Sequence, residues 1–204
     1  RCTLAGFHTQ SKPSDTSHTA KAYRDLLQPG LHKIIGFATR TQGLITATGN
    51  PKQLQNLADV VNTQARFVQR SPGTGTRVLL DDLLTQAKLS TQDLNNWPDE
   101  EPSHTALAEA IASGRCDVGL GIESAARARG LGFVPLVQEE FHLVCLKSAL
   151  DTPATQALRQ FLQEQTWQQV LNSLPGYQTQ HSGEVQSLSK RLPWWTFKRA
   201  KKIG

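Results

Sequence analysis

Cysteine is scarce in this chain of 204 residues, and long apolar runs and metal-ligand spacings are missing altogether. Cys2, Cys116 and Cys145 make no C-x-x-C pair and no cluster with histidine, which excludes a disulfide framework and a zinc knuckle. Cys116 and Cys145 lie in apolar, strand-like runs where a small buried thiol is expected, and the low cysteine use fits a reducing, cytoplasmic compartment. No stretch approaches the roughly 18 apolar residues of a membrane span, so no membrane partner is expected. The opening "RCTLAGFHTQSKPSD" has no apolar core of a secretory signal; either no leader existed or it has been removed.

What is present includes a net charge of +5 that is unevenly placed. Lys190, Arg191, Lys198, Arg199, Lys201 and Lys202 fall in the last 15 residues, which hold no acid and carry +6 against −1 for the rest. The basicity therefore belongs to a tail.

Strand-like and helix-like segments alternate. "CTLAGFH" reads as a strand, "AKAYRDLL" as a helix stopped by Gly30, and "HKIIGFAT" and "QGLITAT" as two strands. "PKQLQNLADVV" has the apolar spacing of a helix beginning near Pro51, and "ARFVQR" reads as a strand. Val78, Leu79, Leu80, Leu83, Leu84 and Ala87 then form one helical face. "SHTALAEAIASG" is a helix with Ser103 as N-cap and Gly114 as its stop. A strand "CDVGLGI", a helix "ESAARARG", the strands "GFVPLV" and "FHLVCL", and one long helix "ATQALRQFLQEQTWQQVLNSL" follow. The alternation predicts an α/β fold with a sheet covered on both faces.

The junction "RSPGTGTRVLLDDLL" carries the most chemistry. A loop from a strand's carboxyl end into a helix faces the ligand crevice of an α/β sheet. The first amides of that helix lack intrahelical partners and sit at the positive end of its dipole. Gly73 and Gly75 permit close approach, Ser71, Thr74 and Thr76 add hydroxyls, and Arg77 or Arg70 adds charge, as a bound oxyanion requires. The plainer alternative, a capped turn, needs only the same hydroxyls and glycines. A P-loop is excluded because no lysine stands at its place. The dinucleotide fingerprint is excluded because Val78 stands where the third glycine belongs, and in "GLGIES" Ser124 stands there.

"RSPGTGTRVLLDDLL", "EEPSHTALAEAIASGRCDVGLGIESAA", "GLGFVPLVQEEFHLV" and "LPGYQTQHSGEV" together resemble the periplasmic-binding-protein-like domain of cytoplasmic molybdate-responsive regulators and of proteins fused to molybdopterin-biosynthesis modules. "LAGFH" and "RTQGLITATGNP" extend the resemblance over nearly the whole chain. It implies a type II fold of two α/β lobes sharing crossover strands. One lobe comprises residues 1–46 and 137–204 and lacks its first strand-helix unit; the other comprises residues 47–136. It implies a cleft for molybdate or tungstate that closes by hinge motion, no cofactor, and DNA contact only through a further N-terminal domain. Carried onto this chain, the ligand positions are Ser71, Gly73, Thr74, Gly75, Thr76 and Arg77, with Pro72 and Thr74 departing from the family's usual "RGSGTR".

Other residues are weaker candidates. His104, beside Glu100 and Glu101, lies at a helix start that the resemblance places on the cleft. Glu123 follows a strand at the cleft rim, although an acid there suits the helix dipole in any case. His8 ends a strand on the ligand side. No nucleophile, base and orienter can be named together, so the expectation is a binding protein and not an enzyme, with an enzyme of pterin or cofactor metabolism as the minority alternative. The tail "KRLPWWTFKRAKK" offers a rival from another class, a nucleic-acid-binding module that stacks bases on its tryptophans. The same residues suit an apolar strap docked on the body, or a homodimer contact.

Overall fold

The computed structural model describes residues 2–11 and 13–195. In chain order the elements are β1 (Leu4–Gln10), α1 (His18–Tyr23), β2 (His32–Thr46), α2 (Leu57–Asn62), β3 (Arg66–Arg70), α3 (Gly75–Gln86), β4 (Asn95–Glu101) and α4 (His104–Ala112). They continue with β5 (Val118–Ile122), α5 (Glu123–Arg127), β6 (Gly132–Leu146), α6 (Pro153–Gln163), α7 (Gln165–Ser173), β7 (Tyr177–Gln178), β8 (Val185–Ser187) and α8 (Leu188–Arg191). All eight strands join one sheet in the order β1-β6-β2-β5-β3-β4, with β7 and β8 also pairing to β2. The β3 pairings with β4 and β5 are parallel; the others are antiparallel.

Adjacent residues in the strands are both apolar because both sheet faces are covered. Leu44 and Phe67 pack with Leu79, Leu80 and Leu84 of α3 on one face. Their neighbours Ile45 and Val68 pack with Leu107 and Ile111 of α4 on the other. At the far end of β2, Ile34 joins Phe7, Ala20 and Leu188, whereas Ile35 joins Cys145 and Leu162. Burying each such side chain contributes about 1.5–3 kcal/mol. The fold is the two-lobed α/β arrangement expected.

Several element boundaries differ from expectation. The two strands expected between residues 32 and 48 are one, β2, and those between 132 and 146 are one, β6. Arg40 and Glu139, which lie between the expected strands, pair with each other across the ladder and stay inside it. The helix expected from Pro51 starts only at Leu57, capped by Asn56. Asn50 and Gln53 have left-handed φ of 49° and 52°. The Asn50 side chain accepts from the Leu54 amide at 3.0 Å and donates to its carbonyl at 2.8 Å, so a closed loop replaces the first turn. The long helix near the C-terminus breaks at Glu164, whose ψ of 137° is extended. The break lets Leu162 and Trp167 both pack on the Ile35 cluster. The edge strand β4 was not foreseen in "NNWPDEE"; an edge tolerates Pro98 because its outward amide needs no partner.

Candidate functional site

The loop after β3 is tied down by local bonds. The Ser71 amide donates to the Glu101 carbonyl at 3.2 Å, and Gly73 turns the chain with φ of 78°. Thr74 is the N-cap of α3: its hydroxyl donates to the Ser71 carbonyl at 2.8 Å and accepts from the Arg77 amide at 3.4 Å. The Thr74 hydroxyl is thus committed to capping. Arg77 sends its guanidinium to Glu100 at 3.4 Å. Among the described residues no hydrogen bond takes the amides of Gly75 or Thr76, the first two of this 12-residue helix.

Three other elements converge on those amides. From β1, His8 lays its ring against Gly75: a Cβ there would lie 2.5 Å from the ring's Cε1 and closer still to Nε2. The space beside Gly75 is therefore occupied, in this structure, by an imidazole. From α4, whose N-cap is Ser103, His104 Nε2 stands 3.4 Å from the Thr76 hydroxyl. Burial, then the charges of Arg70 and Arg40, hold His104 down to about 3, so it is neutral. From the end of β3, Arg70 bonds the carbonyls of Glu101 and Pro102 at 3.0 and 2.9 Å. Burial and the nearby Arg40 lower its basicity.

Behind His8 lies a charged cluster that sequence reasoning missed. Glu139 of β6 is fully buried and accepts from His8 Nδ1 at 2.7 Å, from Gln42 Nε2 at 2.8 Å and from Arg40 Nε. Burial alone would raise its pKa, yet the His8 bond and the Arg40 charge outweigh it and hold the carboxyl below its ordinary value. Gln42 is also fully buried, and its Oε1 has no partner. The available signal was polarity inside otherwise apolar strands: Arg40 and Gln42 in "IIGFATRTQGLIT", Glu139 in "PLVQEEFHLV". A buried charge is more informative than a buried leucine.

Residues 1–163 match the PBP superfamily domain, PBP-like. The chain belongs to the PBP-like superfamily. An uncharacterized protein of Bacillus subtilis (strain 168), YvgK, is 32% identical over 152 residues, covering 74% of this chain and 49% of that protein. This PBP-like domain thus spans about half the length of that relative. The regulatory domain of MetR, a LysR-family regulator from N. meningitidis, is similar with a TM-score of 0.58 at 11% identity, covering 87% of this chain and 77% of that one. A substrate-binding protein assigned to a phosphate ABC transporter of Clostridium perfringens, solved with bound phosphate, gives 0.57 at 13%, covering 85% and 78%. The substrate-binding domain assigned to a molybdenum ABC transporter of Clostridium difficile gives 0.54 at 14%, covering 87% and 76%. At these identities the likeness is one of fold, and the fold is that of solute-binding and regulator effector domains.

The remaining expected residues of this PBP-like domain have partners elsewhere. Glu123 begins α5, pairs with Arg127 at 3.0 Å, and packs against Gly176, whose carbonyl accepts from the Thr41 amide. The described part of the tail folds back: Trp194 is buried among Phe7, Ile34 and Leu188, and Arg191 pairs with Glu140. Phe197, Lys198, Arg199, Lys201 and Lys202 lie outside the described residues. Among the described residues no group of three or more His, Cys, Asp and Glu could hold a metal, and no helix is long and apolar enough to cross a membrane.

Proposed function

We propose that this PBP-like domain binds a small oxyanion, molybdate or tungstate, between two lobes formed by residues 1–46 with 137–204 and by residues 47–136. The observation that carries this is the pair of unpaired amides, Gly75 and Thr76, at the positive end of α3, with the Thr76 hydroxyl and neutral His104 beside them and the charge of Arg70 close to His104. Such a set of donors stabilises a tetrahedral anion without a metal. Of the expected ligand residues, Gly75 and Thr76 would act directly through their amides, and on this reading the Ser71 hydroxyl would be a further donor from the loop. Gly73, Thr74 and Arg77 shape and brace the junction. Support for a tetrahedral ligand also comes from fold neighbours, one holding phosphate and one assigned to molybdenum transport.

Because His8 occupies the space beside Gly75, the anion enters when the lobes part. It then favours the closed form by binding it more tightly than the open one. In a longer parent protein that shift in population would govern a DNA-binding or biosynthetic module, which makes this chain an effector domain. A thermal-shift screen with molybdate, tungstate, sulfate and phosphate tests the reading. At 100 times the dissociation constant, the ligand stabilises by about 2.7 kcal/mol, which raises the melting temperature by roughly 5–10 °C. Thr76→Ala is expected to weaken the shift. A screen in which no anion raises the melting temperature refutes the proposal.

A further inference from the structure

We propose that His8 and Glu139 form a proton-linked element of the anion site, so that a dianion enters together with one proton, held by the His8 imidazole between Glu139 and the start of α3. This deepens the oxyanion reading and rests on it.

The charges facing the site come from every element packed on it. Glu139 of β6 is ionised and lies against Arg40 of β2, so these two cancel. His104 of α4 is neutral. His142 of β6 is also neutral, held down to about 3 chiefly by burial. There remain Arg70 of β3 and the partial charge of α3, roughly half a unit. A dianion in that setting is short of positive charge, and the shortfall is costly where water is excluded.

His8 is placed to supply it. With Glu139 ionised, His8 Nδ1–H donates to Oε2 at 2.7 Å, which leaves the Nε2 of the neutral ring as a lone pair against Gly75. Protonation keeps the Nδ1 bond and turns Nε2 into a second donor at the helix start. A ring with two nitrogens able to carry a proton is thereby lodged between a carboxylate and the start of α3. Beside them, fully buried Gln42 donates to Glu139 and leaves its Oε1 without a hydrogen-bond partner among the described residues.

Calorimetric titration with tungstate, in buffers of different ionisation heat, counts the protons on the unmodified chain. The expected uptake approaches one proton per anion, and wherever it does so the affinity falls about tenfold per unit rise in pH. His8→Asn keeps a donor to Glu139 but has no second nitrogen, so proton uptake and pH slope should both vanish. Tungstate binding without proton exchange, or an unchanged slope in His8→Asn, overturns the inference and leaves the anion site standing. Absence of binding heat with tungstate, together with absence of a melting shift with molybdate, tungstate, sulfate or phosphate, overturns both readings.

Discussion

Replacing Gly75 by alanine tests the contact on which the site's geometry turns. The backbone does not demand glycine, because Gly75 is not among the residues with left-handed φ. The added methyl, however, would lie 2.5 Å from His8 Cε1, whereas ordinary carbon contacts fall near 3.5–4.0 Å. The ring must move by about 1 Å or more, which breaks its 2.7 Å bond to Glu139. A hydrogen bond to a charged group contributes about 1.5–3 kcal/mol. Alanine returns about 1 kcal/mol of helix propensity, leaving a net loss of about 0.5–2 kcal/mol. For a chain of this size that lowers the melting temperature by roughly 1–8 °C. The decisive assay is a double-mutant cycle: once His8→Ala has emptied the space, Gly75→Ala should cost nothing further, since contacting residues couple. Additive effects of the two substitutions would refute the contact.

Asp82 of α3 accepts from the amides of His18 and Thr19, at 2.6 and 3.2 Å, and from the Thr19 hydroxyl at 2.6 Å, so it caps α1 from another helix. Asp82→Ala should cost about 2 kcal/mol, read as a lower urea midpoint with an unchanged slope; an unchanged midpoint contradicts it. His104 and His142, each held down to about 3 from 6.5, stay neutral in the folded chain while the unfolded chain takes up protons. Stability should therefore fall as the pH drops from 6.5 toward 3, and His104→Gln or His142→Gln should flatten that limb of a denaturation-against-pH profile. A limb unaltered in both variants rejects their neutral burial.

The start of α3 was legible in the sequence because its signals are local. Thr74, Gly75 and the apolar face behind them lie within a few turns of one another, as do Ser103 and α4. The cluster behind His8 was not, because Arg40 and Glu139 are 99 residues apart and meet only through the register of β2 on β6. The same pairing explains the two split strands: a charge within a strand reads as an interruption until its partner is known. The junction of α6 and α7 escaped notice for a related reason. Glu164 is neither glycine nor proline, and the bend there answers to the sheet beneath, where Leu162 and Trp167 must both dock.

The long strands β2 and β6, 15 residues each, are paired along nearly their whole length and run through both halves of the molecule. The hinge motion proposed above would therefore flex a continuous ladder in place of a slack tether. The register slips at Gly36/Ala38 and Gln42/Gly43 mark where such a ribbon bends most readily, and the second abuts Gln42 itself. The proposed anion would reach that bend through Glu139, which takes hydrogen bonds from both His8 and Gln42.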